Sequence, residues 1–294
     1  MRRGPMPLTL RFWGTRGSIP SPGAATVRYG GNTACVEVRS ASGALLILDA
    51  GTGIRALGRA LVEQAGGAAI SGDIFLSHAH WDHVQGLPFF APIYTAGNHF
   101  RIWSAPVLAR RVGSVLREQM SETVFPVGFD DVAASVELRA LDGAFTGPDF
   151  TVEALEVRHP GGALGYRVRE RGVHGGGIVY ISDNELGDAT AGPESAESRA
   201  AIVEFARGAA VLIHDATFTD DEYEQFRGWG HSRWTDVLDL AADAGVQRLI
   251  LFHHSPDRGD DEIDRMLGAY RSGLTPARAS LVVAAAAEGM EITV

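Results

Sequence analysis

The feature that most constrains this chain is an apolar run ending in a knot of metal-binding side chains. The run Asp73–Leu76 leads straight into Ser77-His78-Ala79-His80-Trp81-Asp82-His83. Three imidazoles and a carboxylate within six residues are costly to gather after an apolar strand unless they share a ligand. Divalent metals of borderline softness take these nitrogen and oxygen donors. His78 and His80 alternate, so in an extended segment they point the same way. Asp82 and His83, on the turn that follows, can reach a second ion. Four side chains do not saturate two ions, so the fold has to bring further ligands to the same edge.

Three other strand ends supply them. His159 follows the apolar run Phe150–Val157 and precedes Pro160-Gly161-Gly162; Asp183 follows Ile178–Ile181; His253 follows Leu249–Phe252. Each stands just past a buried run, where loops from one sheet edge converge. A carboxylate such as Asp183 can bridge two cations and hold them about 3.5–4 Å apart.

The rest of the pattern fits that requirement. Leu8–Trp13, Cys35–Val38, Leu45–Leu48, Leu164–Val168 and Val211–Ile213 read as strands, with a hairpin turn at Ser42–Gly43. Ile54–Gln64, Val107–Met120, Glu197–Ala206, Trp234–Ala244 and Glu262–Tyr270 read as helices, the first closed by Gly66–Gly67. His99 falls in a strand and His174 in a glycine-rich turn. Glu185–Ser198, polar and rich in small residues, reads as an exposed loop. Strands and helices in both halves predict one domain over residues 1–294: two sheets sandwiched between helices, with the ligand loops on one edge.

Composition narrows the class. The chain is 45% hydrophobic and 21% charged, the profile of a globular protein. No apolar run reaches the ~18 residues of a membrane span, and Met1–Thr9 lacks the apolar core of a signal peptide. Cys35 is the single cysteine, so no internal disulfide forms, which suits the cytoplasm. A net charge of −10 without a basic run argues against extensive nucleic-acid binding.

The pattern His-x-His-x-Asp-His, followed by a distant His, an Asp and a His, resembles the metallo-β-lactamase superfamily along nearly the whole chain. The resemblance implies an α/β fold, a four-layer αββα sandwich of two mixed sheets flanked by helices. A carboxylate rather than a cysteine at Asp183 is similar to the phosphodiesterase branch. Leu212-Ile213-His214-Asp215-Ala216-Thr217-Phe218, Gly230-His231-Ser232 and Leu251-Phe252-His253-His254-Ser255-Pro256 resemble the transfer-RNA 3′-processing endonucleases. The resemblance implies one site of His78, His80 and His159, a second of Asp82, His83 and His253, and Asp183 as the bridge. The two divalent ions would be zinc, or manganese or iron, which accept the same donors. They would activate water, with Asp82 or Asp183 orienting it.

His231 matches the residue that protonates the leaving oxygen in the endonucleases; its other reading is a cap on the helix starting near Trp234. Asp215 and His254, and His214 beside them, either orient metal-binding side chains or serve the fold alone. Gly14-Thr15-Arg16-Gly17-Ser18-Ile19-Pro20, Tyr29-Gly30-Gly31-Asn32-Thr33 and Pro88-Phe89-Phe90 resemble a subgroup of small bacterial and phage hydrolases. Some of these degrade cyclic nucleotides, and dimers are usual among them. Arg16 is then a candidate to hold phosphate, with Asn32 and Ser232 as further substrate contacts, although tight turns also explain these stretches.

One departure matters. The endonucleases carry a long, basic, glycine-rich arm before the third histidine motif; here Val107–Met120 reads as an ordinary helix in that interval. The expectation is therefore a homodimeric phosphodiesterase for small phosphodiesters such as cyclic nucleotides. The alternatives are RNA cleavage of the transfer-RNA 3′-processing type, ester or thioester hydrolysis on the same fold, and a non-enzymatic metal-containing sensor or binding protein.

Overall fold

The computed structural model describes residues 7–187, 193–272 and 280–294. Two seven-stranded mixed sheets stack face to face. The first takes β1 (Thr9–Gly14), β2 (Cys35–Arg39), β3 (Leu45–Leu48), β4 (Ser71–Phe75), β5 (His99–Ser104) and β6 (Ser135–Ala140). The second takes β7 (Ala144–Thr146), β8 (Phe150–Val157), β9 (Ala163–Glu170), β10 (Ile178–Ile181), β11 (Val211–Asp215), β12 (Arg248–Phe252) and β13 (Val282–Ala285). The chain then returns, and β14 (Glu291–Thr293) pairs with β1 at the edge of the first sheet.

Each sheet is half antiparallel and half parallel. Strands β3 to β6 run parallel in the first, and β10 to β13 in the second. Parallel strands end on the same side, so the carboxyl ends of β3, β4, β10, β11 and β12 open on one edge of the sandwich. That edge is where ligands bind in open α/β sheets.

Inner faces of the sheets interlock through aromatic side chains. Phe12 meets Phe252 with ring centroids 6.0 Å apart, and Phe75 meets Tyr166 edge-on at 5.5 Å. The Tyr166 hydroxyl donates to the Leu76 carbonyl at 2.5 Å, tying the second sheet to the end of β4. Helices α1 (Ile54–Ala65), α2 (Trp81–Val84) and α3 (Pro106–Gln119) belong to the first half. Those of the second are α4 (Pro193–Ala206), α5 (Asp220–Phe226), α6 (Trp234–Ala244) and α7 (Asp260–Ser272). Helix α1 buries Ile54, Leu57, Gly58 and Leu61 at helical spacing and stops at Gly66, whose φ of 54° is the left-handed cap. Helix α5 starts on a reciprocal cap between Thr219 and Glu222.

The four-layer sandwich is the fold expected from the sequence. One local expectation fails: Glu185 and Leu186, read as the start of an exposed loop, are buried, and helix α4 begins at Pro193 rather than Glu197. The middle of that loop lies outside the described residues. None of the helices among the described residues is long and apolar enough to cross a membrane.

Candidate metal centre

Four loops bring their donors to one point. The Nδ1 of His80 and the Nε2 of His159 lie 2.9 Å apart, and with His78 they form one group whose ligand atoms fall within 4.8 Å of one another. Asp82, His83 and His253 form a second such group. Between them sits Asp183. Its Oδ2 is 3.8 Å from Nε2 of both His78 and His159 and 3.3 Å from Nε2 of His253, while its Oδ1 is 3.1 Å from Nε2 of His83. Asp82 Oδ2 closes the second group at 3.3 Å from His83 and 3.2 Å from His253.

The centre fits divalent metal ions. The Nε2 atoms of His78 and His83 and Oδ1 of Asp183 are buried without a hydrogen-bond partner, a state that costs about 1–3 kcal/mol per group unless something answers it. All three face the common centre. Protonation tells the same story. Burial holds His78, His80 and His159 below the ordinary imidazole range, so each presents the neutral ring a metal takes. For His83 burial works against charge, but Asp183, Asp82 and Asp49 outweigh it and raise its pKa. Burial likewise pushes Asp82 and Asp183 up, and the surrounding histidines more than reverse it, so both stay ionised.

Behind the donors lies a frame of which the sequence singles out Asp215 but not Asp49 or Glu185. Asp49, fully buried at the end of β3, accepts from the Ser77 amide at 2.7 Å, the Ser77 hydroxyl at 2.8 Å and the Tyr180 hydroxyl at 2.7 Å. It also takes His83 Nδ1 at 2.8 Å, which leaves Nε2 aimed inward. On the other side Asp215, at the end of β11, accepts from the Thr217 hydroxyl at 2.7 Å, and that hydroxyl lies 3.0 Å from His253 Nδ1. The Gly230 carbonyl takes His159 Nδ1 at 2.9 Å. A Cβ on Gly230 would sit 2.3 Å from that same ring atom, so only glycine fits. The loop carrying it is pinned by Glu185, which accepts from the Tyr223 hydroxyl and the amides of Gly228 and Gly230. Among the described residues, the three non-glycine residues with left-handed backbone are Ser18, Asp49 and His253. Strain of this kind collects at functional sites.

His231 stands beside the donors. Its Nδ1 bonds Asp215 Oδ2 at 2.9 Å, and its ring stacks on His253 at 4.7 Å. Burial opposes its charge, yet Asp215, Asp183 and Asp82 together raise its pKa to about 9. It does not cap the helix starting at Trp234: the residue before that helix is Arg233, which makes no side-chain cap bond.

Several expected contacts lie elsewhere. Arg16 is fully buried, and its guanidinium donates to the carbonyls of Gly30, Ser255 and Arg258, so it braces the loops around it. The approach to the centre from that loop comes from its neighbours instead. The Ser18 amide donates to Asp82 Oδ2 at 2.7 Å, and a Cβ on Gly17 would fall 2.2 Å from the His253 ring. Asn32 spends both amide hydrogens on Glu288 and accepts from Thr52. Ser232 is buried, donating to the Asn184 carbonyl and accepting the Leu186 amide. His254 faces the Ala286 carbonyl at 2.9 Å, away from the donors, with burial pushing its pKa down to about 3. His214 turns to the carbonyl of Asp215, and His99 pairs with Glu137. Neither reaches the centre. Of the two residues expected to orient ligands, Asp215 is linked to His253 through the Thr217 hydroxyl, and His254 bonds the Ala286 carbonyl instead.

This fold and this site define a metal-dependent phosphodiester hydrolase. Residues 45–254 match the family model described as the Beta-lactamase superfamily domain, and the chain belongs to that family. It is 30% identical to ribonuclease Z of Halobacterium salinarum over 90% of this chain and 92% of that one. Among solved structures it resembles the metallo-beta-lactamase fold protein YhfI of Bacillus subtilis, with a TM-score of 0.66 at 17% identity over 98% of this chain and 99% of that one. It also resembles the short form of human tRNase Z, with a TM-score of 0.60 at 22% identity over 97% and 98% of the two chains.

Proposed function

We propose that the protein is a two-metal endonuclease that cleaves a phosphodiester of RNA at the 3′ side of a transfer-RNA-like substrate. The observation that carries the reading is the likeness to ribonuclease Z, which extends over 90% of the chain rather than over the ligand motifs alone. It reverses the weight given earlier to cyclic nucleotides and to the acidic composition. Net charge is an average over the surface and does not fix the charge at a cleft. Two exposed indoles support a nucleotide substrate of some kind. Trp81, 64% exposed, follows His80, and Trp229, 63% exposed, precedes Gly230. Aromatic side chains left in water beside an active site offer faces on which bases stack.

In this reading His78, His80 and His159 hold one ion, Asp82, His83 and His253 the other, and Asp183 lies between. Bound divalent ions, zinc first among them, supply Lewis-acid activation of water and neutralise phosphoryl charge. Asp82, fixed by the Ser18 amide, orients the attacking water. His231, held on Asp215, offers its Nε2 proton to the departing ribose oxygen. The His231–Asp215 pair distinguishes this arrangement from a purely structural metal site. We further read the chain as one domain, acting in the cytoplasm as a homodimer.

A second reading, a phosphodiesterase for small cyclic substrates, is favoured by the interval between His99 and His159. Strands β5, β6, β7 and β8, helix α3 and a connecting segment with one 3₁₀ turn at Phe129–Asp131 fill it, with no arm to grip an RNA among the described residues. The test is cleavage by the metal-replete protein of precursor transfer RNA, a 3′,5′-cyclic mononucleotide and an aryl phosphodiester. Faster turnover per site of the RNA than of the cyclic nucleotide is expected; the reverse order would replace the first reading with the second.

A further inference from the structure

Beside the metal centre a cleft runs between helix α3 and the turn after β8. It is lined by His78, His80, Arg111, Val115 and Gly161–Gly162. Asp183, Asp82, His83, His253 and His231 do not line it, so it lies outside the point where the scissile phosphoryl group and its leaving oxygen must sit. We propose that Arg111 forms a subsite for the phosphate flanking the scissile one, so that the enzyme selects substrates carrying at least two phosphates in a row. The proposal deepens the RNA reading and rests on it for the identity of the substrate.

Three observations carry it. First, Arg111 is exposed and has no ion-pair or hydrogen-bond partner among the described residues. Arg117, further along the same helix, is clamped by both oxygens of Asp130 at 2.8 and 3.0 Å, so the helix does not leave its arginines free by default. Second, the opposite wall is the turn Pro160-Gly161-Gly162, two of whose three residues carry no side chain. Gly161 and Gly162 both have left-handed backbone, φ 86° and 84°, and a Cβ on Gly161 would lie 3.9 Å from His80 Nε2. The cleft therefore reaches the outer edge of a ligand histidine without obstruction. Third, among the described residues Arg111 is the one permanent cation in its lining, and a guanidinium is the side chain best matched to a phosphate. A cyclic mononucleotide has a single phosphate, already committed to the metal centre. In an oligonucleotide the next nucleotide supplies another.

The experiment compares the metal-loaded wild type with Arg111→Gln and Arg111→Lys on two probes. One is a fluorescein-labelled RNA tetranucleotide and the other bis(p-nitrophenyl) phosphate, which has one phosphate. For Arg111→Gln the KM for RNA should rise roughly 10- to 100-fold, the worth of one charged contact, with kcat changed far less, and KM for the aryl ester should shift much less. The slope of log KM against log salt should fall by about 0.7 for the RNA, the signature of one lost single-strand phosphate contact. Arg111→Lys should recover that slope, since charge is kept. Equal shifts on both probes with an unchanged slope would overturn the proposal. If the RNA is not cleaved at all, the RNA reading fails. Fluorescence anisotropy of the same labelled RNA still tests the subsite: equal affinity and slope for wild type and Arg111→Gln, or binding to neither, would overturn it.

Discussion

The two sheets contribute to the metal centre in opposite styles. From the first come His78, His80, Asp82 and His83, four donors on one loop, backed by Asp49. From the second come His159, Asp183 and His253, one donor on each of three loops, backed by Asp215 and Glu185. Asp49 and Asp215 are both fully buried at strand ends, yet they act on different partners. Asp49 bonds a ligand histidine directly. Asp215 bonds His231, which is not among the seven donors, and reaches the ligand His253 only through Thr217. In the proposed mechanism the first sheet thus tunes metal binding, and the second divides its effort between holding metal and placing a proton.

The largest effect should come from the proton side. His231→Ala is expected to keep the wild-type metal content and to lower turnover of a substrate with a ribose leaving group by roughly 10²–10⁴. An aryl phosphodiester, whose leaving group needs little protonation, should lose far less. Metal analysis alongside kinetics on both substrates separates the outcomes. Lost metal would make His231 a ligand and erase the contrast between the two carboxylates.

Asp49→Asn should show the opposite signature and a smaller size. An amide there presents donors to His83 Nδ1, Ser77 and the Tyr180 hydroxyl, which already donate. Metal affinity should drop roughly 10- to 100-fold, with turnover largely restored in excess metal. Competition with a chelator of known affinity measures it. Unchanged affinity would mean that His83 keeps its orientation without the carboxylate.

How much of this was legible follows the same division. The compact loop is readable because its donors are neighbours in sequence, and the scattered donors because each ends an apolar run. Asp49 carries the same signal as Asp183, a carboxylate closing a four-residue apolar strand. It went unread because Ala50-Gly51-Thr52-Gly53 behind it looks like an ordinary turn. Glu185 was invisible for another reason: its partners Tyr223, Gly228 and Gly230 are distant in sequence, and its polar flank suggests solvent. Arg16 misled because a guanidinium among glycines suits phosphate and backbone carbonyls alike, and only tertiary contact decides. The strands β6, β7, β13 and β14 escaped periodicity since they are short or only half-buried at the sheet edges.

A third effect, on stability rather than on turnover or metal affinity, tests whether the His231–Asp215 pair stores folding energy as well as serving chemistry. In the metal-free protein the folded-state pKa of His231 is raised from 6.5 to about 9. A raised pKa means the folded state binds the proton more tightly than the unfolded chain. The resulting stabilisation is fully present below pH 6.5 and is lost as pH rises through about 9. The shift corresponds to something on the order of 3 kcal/mol. His231→Asn lacks this contribution. The difference in urea midpoint between chelated wild type and chelated variant should therefore be largest near pH 6, shrink across pH 7–9, and level off above. Subtracting the variant removes the opposing titration of His78, which both proteins share, and leaves for His80 and His159 only the part that the His231 charge itself imposes. Divalent ions add positive charge beside the ring and should move the same window to lower pH. A difference that is flat with pH, or that grows toward pH 9, would show that Asp215 holds His231 neutral. The proton for the leaving oxygen would then have to come from solvent.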